Sequence, residues 1–301
     1  LALLLAASAH AAERKTLNVL FIGNSYTARH NLAQVVKAMA EAGNPGLTFD
    51  ITQVIYGGRR LIDHWRLGTQ NYVRIADLTA DEEKQTIADL KKQIADDPKD
   101  KYAKGALRRH QSLLKNLEAQ RKKWDIVVLQ SYRDDIQGET SLYLEYAPKF
   151  AELIKAQGAR VVLYETTPAT QNAKPLTAPP DTEKVLAKEK LIAKLANQID
   201  ATVVPMSIVG LRCQTERPDL TLRFINDAHL NHTMAYKSPE GLPVDSITDI
   251  RFFEMDGKAD KTKDRDGNPI ERTFAGKDLA DLQRIAWEGL NEFRKIRTTA
   301  K

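Results

Sequence analysis

A single cysteine in 301 residues, Cys213, leaves the chain no partner for an intrachain disulfide and no CxxC pair or zinc ribbon. Stability then has to come from packing, and Cys213 itself, in Gly-Leu-Arg-Cys-Gln, reads as a half-buried structural residue. No stretch reaches the roughly 20 apolar residues that a hydrocarbon core of about 30 Å demands, which excludes a transmembrane helix. The first twelve residues, Leu1 to Ala12, are apolar but too short, and they end in a small-x-small pattern. They read as the remnant of a signal peptide, so the mature chain is expected from about residue 13 and outside the cytoplasm, secreted or periplasmic in a bacterial envelope. Segregated charge is missing too: 45 Lys and Arg against 40 Asp and Glu give a net +5, with the signs interspersed. Without a basic stripe and interleaved aromatics, no nucleic-acid partner is expected.

What is present suits one large α/β domain, with 42% hydrophobic residues to fill a core. β-rich apolar runs fall at Leu17–Ile22, Phe49–Ile55, Ile126–Gln130, Val161–Glu165 and Thr202–Val204. Helical patterns lie mostly between them, at Leu32–Ala42, Leu142–Gln157, Thr182–Ile199 and, at the end, Leu279–Ile296. Alternation of this kind predicts a parallel sheet with crossover helices. Asn18–Ile22 and Asp125–Leu129 are almost continuously apolar, as strands buried on both faces require. The fold expected is a three-layer, doubly wound parallel sheet, with ligands beyond the carboxyl ends of its strands.

Two regions depart from the alternation. Residues from about 77 to 123 are rich in Ala, Leu, Lys, Glu and Gln, broken at Asp96-Asp97-Pro98 and Gly105, and predict an inserted helical hairpin. Its sticky faces are expected at Ile87, Leu90 and Ile94, then at Leu107, Leu114 and Leu117. Two amphipathic helices packed on the body are the plain reading; a lid or partner-binding arm is the functional one. The second region, about 236 to 274, carries the turn-rich Asp264-Arg-Asp-Gly-Asn-Pro269. An EF-hand needs glycine where Pro269 stands, so a solvated turn is expected and no metal site is assigned.

The chemistry concentrates at Val19-Leu-Phe-Ile-Gly-Asn-Ser25-Tyr-Thr27, a buried strand that stops at Gly-Asn-Ser before a helix. A serine here is either an N-cap for orphan amides or a nucleophile whose developing negative charge those amides receive. A nucleophile needs a base. His10 falls in the leader, His30 follows Ser25 closely, His64 lies at a helix start and His110 in the hairpin; His229 and His232 sit in a polar loop after the last strand. A late loop returning to the strand edges suits the base, which favours His229.

These residues resemble the SGNH (GDSL-like) hydrolase superfamily. Gly23-Asn24-Ser25 is similar to its first block, in a Gly-Asn-Ser variant, and Tyr56-Gly57-Gly58-Arg59 resembles the second, with Gly58 the better match to the glycine that donates an oxyanion N–H. Trp124–Ser131 resembles the strand leading to the third block, with Leu129-Gln130 where Gly-x-Asn-Asp is usual; Gln130 offers the same kind of side-chain donor as asparagine, with Ser131 as competitor. Asp227-Ala-His229 resembles the last block, although Asn226 stands three residues before the histidine, where aspartate is usual.

The resemblance implies an SGNH/flavodoxin-like fold and a secreted serine esterase acting without a cofactor. Ser25 is then the nucleophile, His229 the base, and Asp227 its orienting acid unless Asn226 takes that place. Backbone N–H groups of Ser25 and Gly58 and the side chain of Gln130 form the oxyanion hole. The expected substrate is a small-molecule or carbohydrate ester, acetylated sugars included. Trp65, Tyr132, Arg133 and Asp134 are candidates to line a cleft, though tryptophan near a helix start more often packs into a core. The alternative is a catalytically inactive secreted protein of the same fold that binds carbohydrate or a partner through the hairpin. An asparagine beside His229 favours it; the joint presence of serine, base and glycine pair opposes it.

Overall fold

A computed structural model describes residues 15–28, 32–44, 46–132, 138, 140–165, 181–223 and 276–300. Its five strands are β1 (Lys15–Gly23), β2 (Leu47–Ile55), β3 (Ile126–Gln130), β4 (Arg160–Tyr164) and β5 (Thr202–Val204). They pair in the order β2-β1-β3-β4-β5, every pair parallel. The expected doubly wound α/β sheet is therefore present, flanked by helices, and each strand falls within two residues of its predicted bounds. The apolar runs explain the core: Val19, Leu20, Phe21 and Ile22 of β1 and Val127, Val128 and Leu129 of β3 are all buried. Each such side chain contributes about 1.5–3 kcal/mol of transfer free energy.

After β1 comes a single helical turn, α1 (Ser25–Ala28), and then α2 (Leu32–Gly43). Beyond β2 the chain makes two short helices, α3 (Leu61–Arg66) and α4 (Gln70–Val73), before the hairpin α5 (Ala80–Asp96) and α6 (Lys101–Lys115) and the short α7 (Leu117–Gln120). The remaining helices are α8 (Leu142–Ala156), α9 (Thr182–Gln198), α10 (Met206–Glu216), α11 (Pro218–Arg223) and α12 (Gly276–Thr299). Among the described residues no helix is long and apolar enough to cross a membrane.

The hairpin helices start on strong caps. Thr79 Oγ1 accepts from the Glu82 N–H while Glu82 returns a carboxylate to the Thr79 N–H, and Asp100 accepts from the N–H groups of Tyr102 and Ala103. Ile87 and Leu90 of α5 are buried as expected. On α6 the expected face is corrected: Ala103, Ala106, His110 and Leu113 go inward, while Leu107 and Leu114 are only half-buried. Two alanines let the helix approach closely, and α5 itself supplies the partner that makes a buried histidine acceptable, because the His110 Nδ1 lies 2.7 Å from Glu83 Oε1.

Cys213 is fully buried rather than half-buried, and burial raises its thiol pKa to about 11, which suits a structural residue. Trp65 meets the rings of Phe150 and Tyr146 on α8 edge-on, at 5.2 and 6.2 Å, and so packs α3 against α8 instead of lining a cleft. Tyr132 is half-buried, and Arg133 and Asp134 lie outside the described residues.

Candidate active site

In the order β2-β1-β3 the chain leaves β1 towards one side of the sheet and enters β3 on the other, so the carboxyl ends of β1 and β3 flank the topological switch point, where such sheets bind ligands. Ser25 follows β1 and Ser131 follows β3. The tripeptide Gly23-Asn24-Ser25 is held from three directions. From β3, the side-chain oxygen Oε1 of the buried Gln130 accepts from the Asn24 N–H at 2.9 Å and from the Thr27 hydroxyl at 3.1 Å. From the turn after β2, the Asn24 side-chain amide donates to the Arg59 carbonyl at 3.0 Å. From α3, His64 Nε2 lies 3.0 Å from the Gly23 carbonyl, which also accepts from the Tyr56 N–H.

A carbonyl can only accept, so the Nε2 of His64 carries the proton and its Nδ1 accepts from the Thr69 hydroxyl at 3.1 Å. Complete burial drives the ring's pKa down to about 4, against a smaller opposing effect of the Gly23 hydrogen bond. His64 is thus a neutral strut behind the Gly23-Asn24-Ser25 turn. Nothing local in the sequence distinguishes it, since its partner lies 41 residues away. Gly23 is required by the same crowding: a Cβ there would collide with Thr27 Oγ1 and Gln130 Oε1.

The two readings of Ser25 separate here. Asn24, not Ser25, caps α1, its Oδ1 accepting from the Tyr26 N–H at 3.0 Å. Among the described residues the half-buried Ser25 has no hydrogen-bond partner for its hydroxyl or its N–H. Next to it, Tyr56-Gly57-Gly58-Arg59 closes a turn through the Arg59 N–H and the Tyr56 carbonyl at 3.1 Å, with Gly58 at φ +66°. That backbone favours glycine, and it leaves the Gly58 N–H without an acceptor among the described residues.

The third expected oxyanion donor is differently employed. The Gln130 amide nitrogen donates to the Ser131 carbonyl, and with its oxygen on Asn24 and Thr27 the side chain is committed at both ends. The buried Ser131 hydroxyl accepts from the Leu61 N–H at 3.2 Å and so fastens the start of α3. His229, Asp227 and Asn226 lie outside the described residues, as do His30, His232, residues 1–12 and residues 264–269. Among the described residues no three His, Cys, Asp or Glu side chains gather as a metal site would need.

No family model matches the chain, and no curated protein sequence does. Among the solved structures similar in outline is a protein from Slackia heliotrinireducens named provisionally as an SGNH hydrolase, 18% identical, aligned over 64% of this chain and 80% of its own, with a TM-score of 0.40. A likeness so distant carries no argument about activity, which has to come from the site itself.

Proposed function

We propose that the chain is a serine esterase of the SGNH type, with Ser25 as nucleophile. The observation that carries this reading is the division of labour at the end of β1: Asn24 performs the capping and ties the Tyr56–Arg59 turn to β1, while among the described residues the Ser25 hydroxyl is uncommitted and the N–H groups of Ser25 and of Gly58, in that turn, have no acceptor. The sheet's switch point and the rigid support from Gln130 and His64 add to it.

In this mechanism His229 takes the Ser25 proton as the oxygen attacks the ester carbonyl, and the Ser25 and Gly58 N–H groups receive the oxyanion. The proton passes to the leaving alcohol, and water activated by His229 then releases the acid from Ser25. Asp227 orients the imidazole and stabilises its charged form; Asn226 is the competing candidate for that place. Gln130 acts by holding the nucleophile turn, a positioning role in place of direct donation. Placement outside the cytoplasm and a small-molecule or carbohydrate ester as substrate belong to the same proposal.

The test is p-nitrophenyl acetate hydrolysis by the wild type, Ser25→Ala and His229→Ala. Loss of either group should lower turnover by about 1000-fold or more. Equal turnover in Ser25→Ala sinks the reading, and absence of turnover in the wild type moves the chain to the binding-protein alternative.

A further inference from the structure

Between the hairpin and the end of β2 lies a cleft of about 550 Å³. Its floor is Tyr56 and Gly57, the residues that run directly into Gly58, and its far wall is α6, which contributes Lys101, Tyr102, Arg108 and Arg109. Among the described residues no carboxylate lines it, and Lys101, Arg108 and Arg109 form no ion pair, so their charge in the cleft is not neutralised by a neighbouring carboxylate. A fourth, Arg59, lies over the Tyr102 ring at 4.2 Å with its Nε buried and unpartnered among the described residues, and Arg109 lies 5.5 Å from the Tyr56 ring centre. The rings hold the two guanidinium planes in place without neutralising them, and a preorganised guanidinium is suited to bidentate binding of a carboxylate or sulfate.

We propose that this cleft seats an oxyanionic group, carboxylate or sulfate, carried by the substrate while its ester lies at Ser25. The proposal rests on the esterase reading for the word substrate, yet anion binding in the cleft is measurable without turnover. Position argues for the link. The cleft floor and the proposed oxyanion donor Gly58 belong to one tight turn, and Asn24 ties that turn to Ser25. An anion held by α6 would therefore fix an extended ester across the turn, and the hairpin would supply selectivity where the sheet supplies chemistry.

The experiment is calorimetry on the full-length Ser25→Ala protein with three probes: trigalacturonate, a sulfated oligosaccharide of equal length, and neutral maltotriose. Both anionic probes, or the one whose oxyanion the cleft fits, should bind at least about tenfold more tightly than the neutral one, and raised salt should weaken them. Lys101→Ala/Arg108→Ala/Arg109→Ala, which removes the three cations that line the cleft, should abolish the preference, while Arg109→Lys, which keeps the charge and loses the fork, should retain part of it. Equal affinity for all three probes overturns the proposal. So does an anion preference that survives Lys101→Ala/Arg108→Ala/Arg109→Ala, since the anion would then bind elsewhere. Failure of the esterase reading is a separate result, absent p-nitrophenyl acetate turnover in the wild type, and leaves the calorimetric outcome standing as anion binding alone.

Discussion

Two buried acid clusters, equally shielded from water, are built on opposite chemistry. Under the hairpin, Glu83 meets His110 at 2.7 Å and accepts from the Asn71 amide at 2.7 Å, while the other His110 nitrogen faces the Leu67 carbonyl at 2.9 Å. Every arm of that cluster ends on a partner, and it fastens α5 and α6 to the segment between α3 and α4. At the carboxyl end of β4, buried Glu165 faces the buried Glu189 of α9. They hold the start of α10, accepting from the N–H groups of Ser207 and Ile208 at 3.0 and 2.9 Å. Burial, then the negative charge of Glu165, pushes the Glu189 pKa well up. The first cluster works by giving its buried polar atoms hydrogen-bond partners and the second by holding a proton on a buried carboxyl, so they should answer mutation and pH in different ways.

The largest effect is expected from His110→Ala, which strands a buried carboxylate and should cost about 3–5 kcal/mol in urea unfolding. Adding Glu83→Gln should recover part of that loss; strictly additive losses would mean that the two side chains do not act as a pair.

His64, against the Gly23 carbonyl, comes next. Unfolding frees its imidazole to take a proton below about pH 6.5, whereas the folded ring resists until about 4. Its contribution is complete above pH 6.5 and lost as the pH falls towards 4, on the order of 3 kcal/mol in all. His64→Asn should remove that acid limb from the stability profile; a profile as steep as the wild type's would assign the limb to carboxylates.

The smallest change sharpens the contrast most. Unfolded Glu189 ionises near pH 4.5, while the folded one keeps its proton well above that. Its contribution is complete below pH 4.5 and lost as the pH rises through the raised folded value, with a slope of at most about 1.4 kcal/mol per pH unit. Glu189→Gln keeps an oxygen for Ile208 and a donor for Glu165 but has no proton to lose. Stability should then stay flat into alkaline pH, with no loss at neutrality. If stability declines with pH as in the wild type, Glu189 is not the group whose proton is lost.

The sequence by itself determined the strands, the main helices, the hairpin and the Gly-Asn-Ser stop at the end of β1, because each is written in local periodicity and turn chemistry: Val19–Ile22 can only be a strand buried on both faces, and Thr79–Glu82 is a capping box in four residues. Only the tertiary structure decided which neighbour of the turn does what. Asn24 takes the cap that Ser25 was equally able to take, because Arg59 and Tyr26 both reach its amide. Gln130 braces the turn from 106 residues away, and His110 replaces leucine on the inner face of α6 because Glu83 is there to meet it. The four cations around the cleft are spread through two separate segments of an evenly charged chain, and only the packing of α6 over the β2 turn gathers them. Periodicity reports how one element meets water, whereas a buried hydrogen bond or an uncompensated charge depends on which distant side chain fills the remaining space.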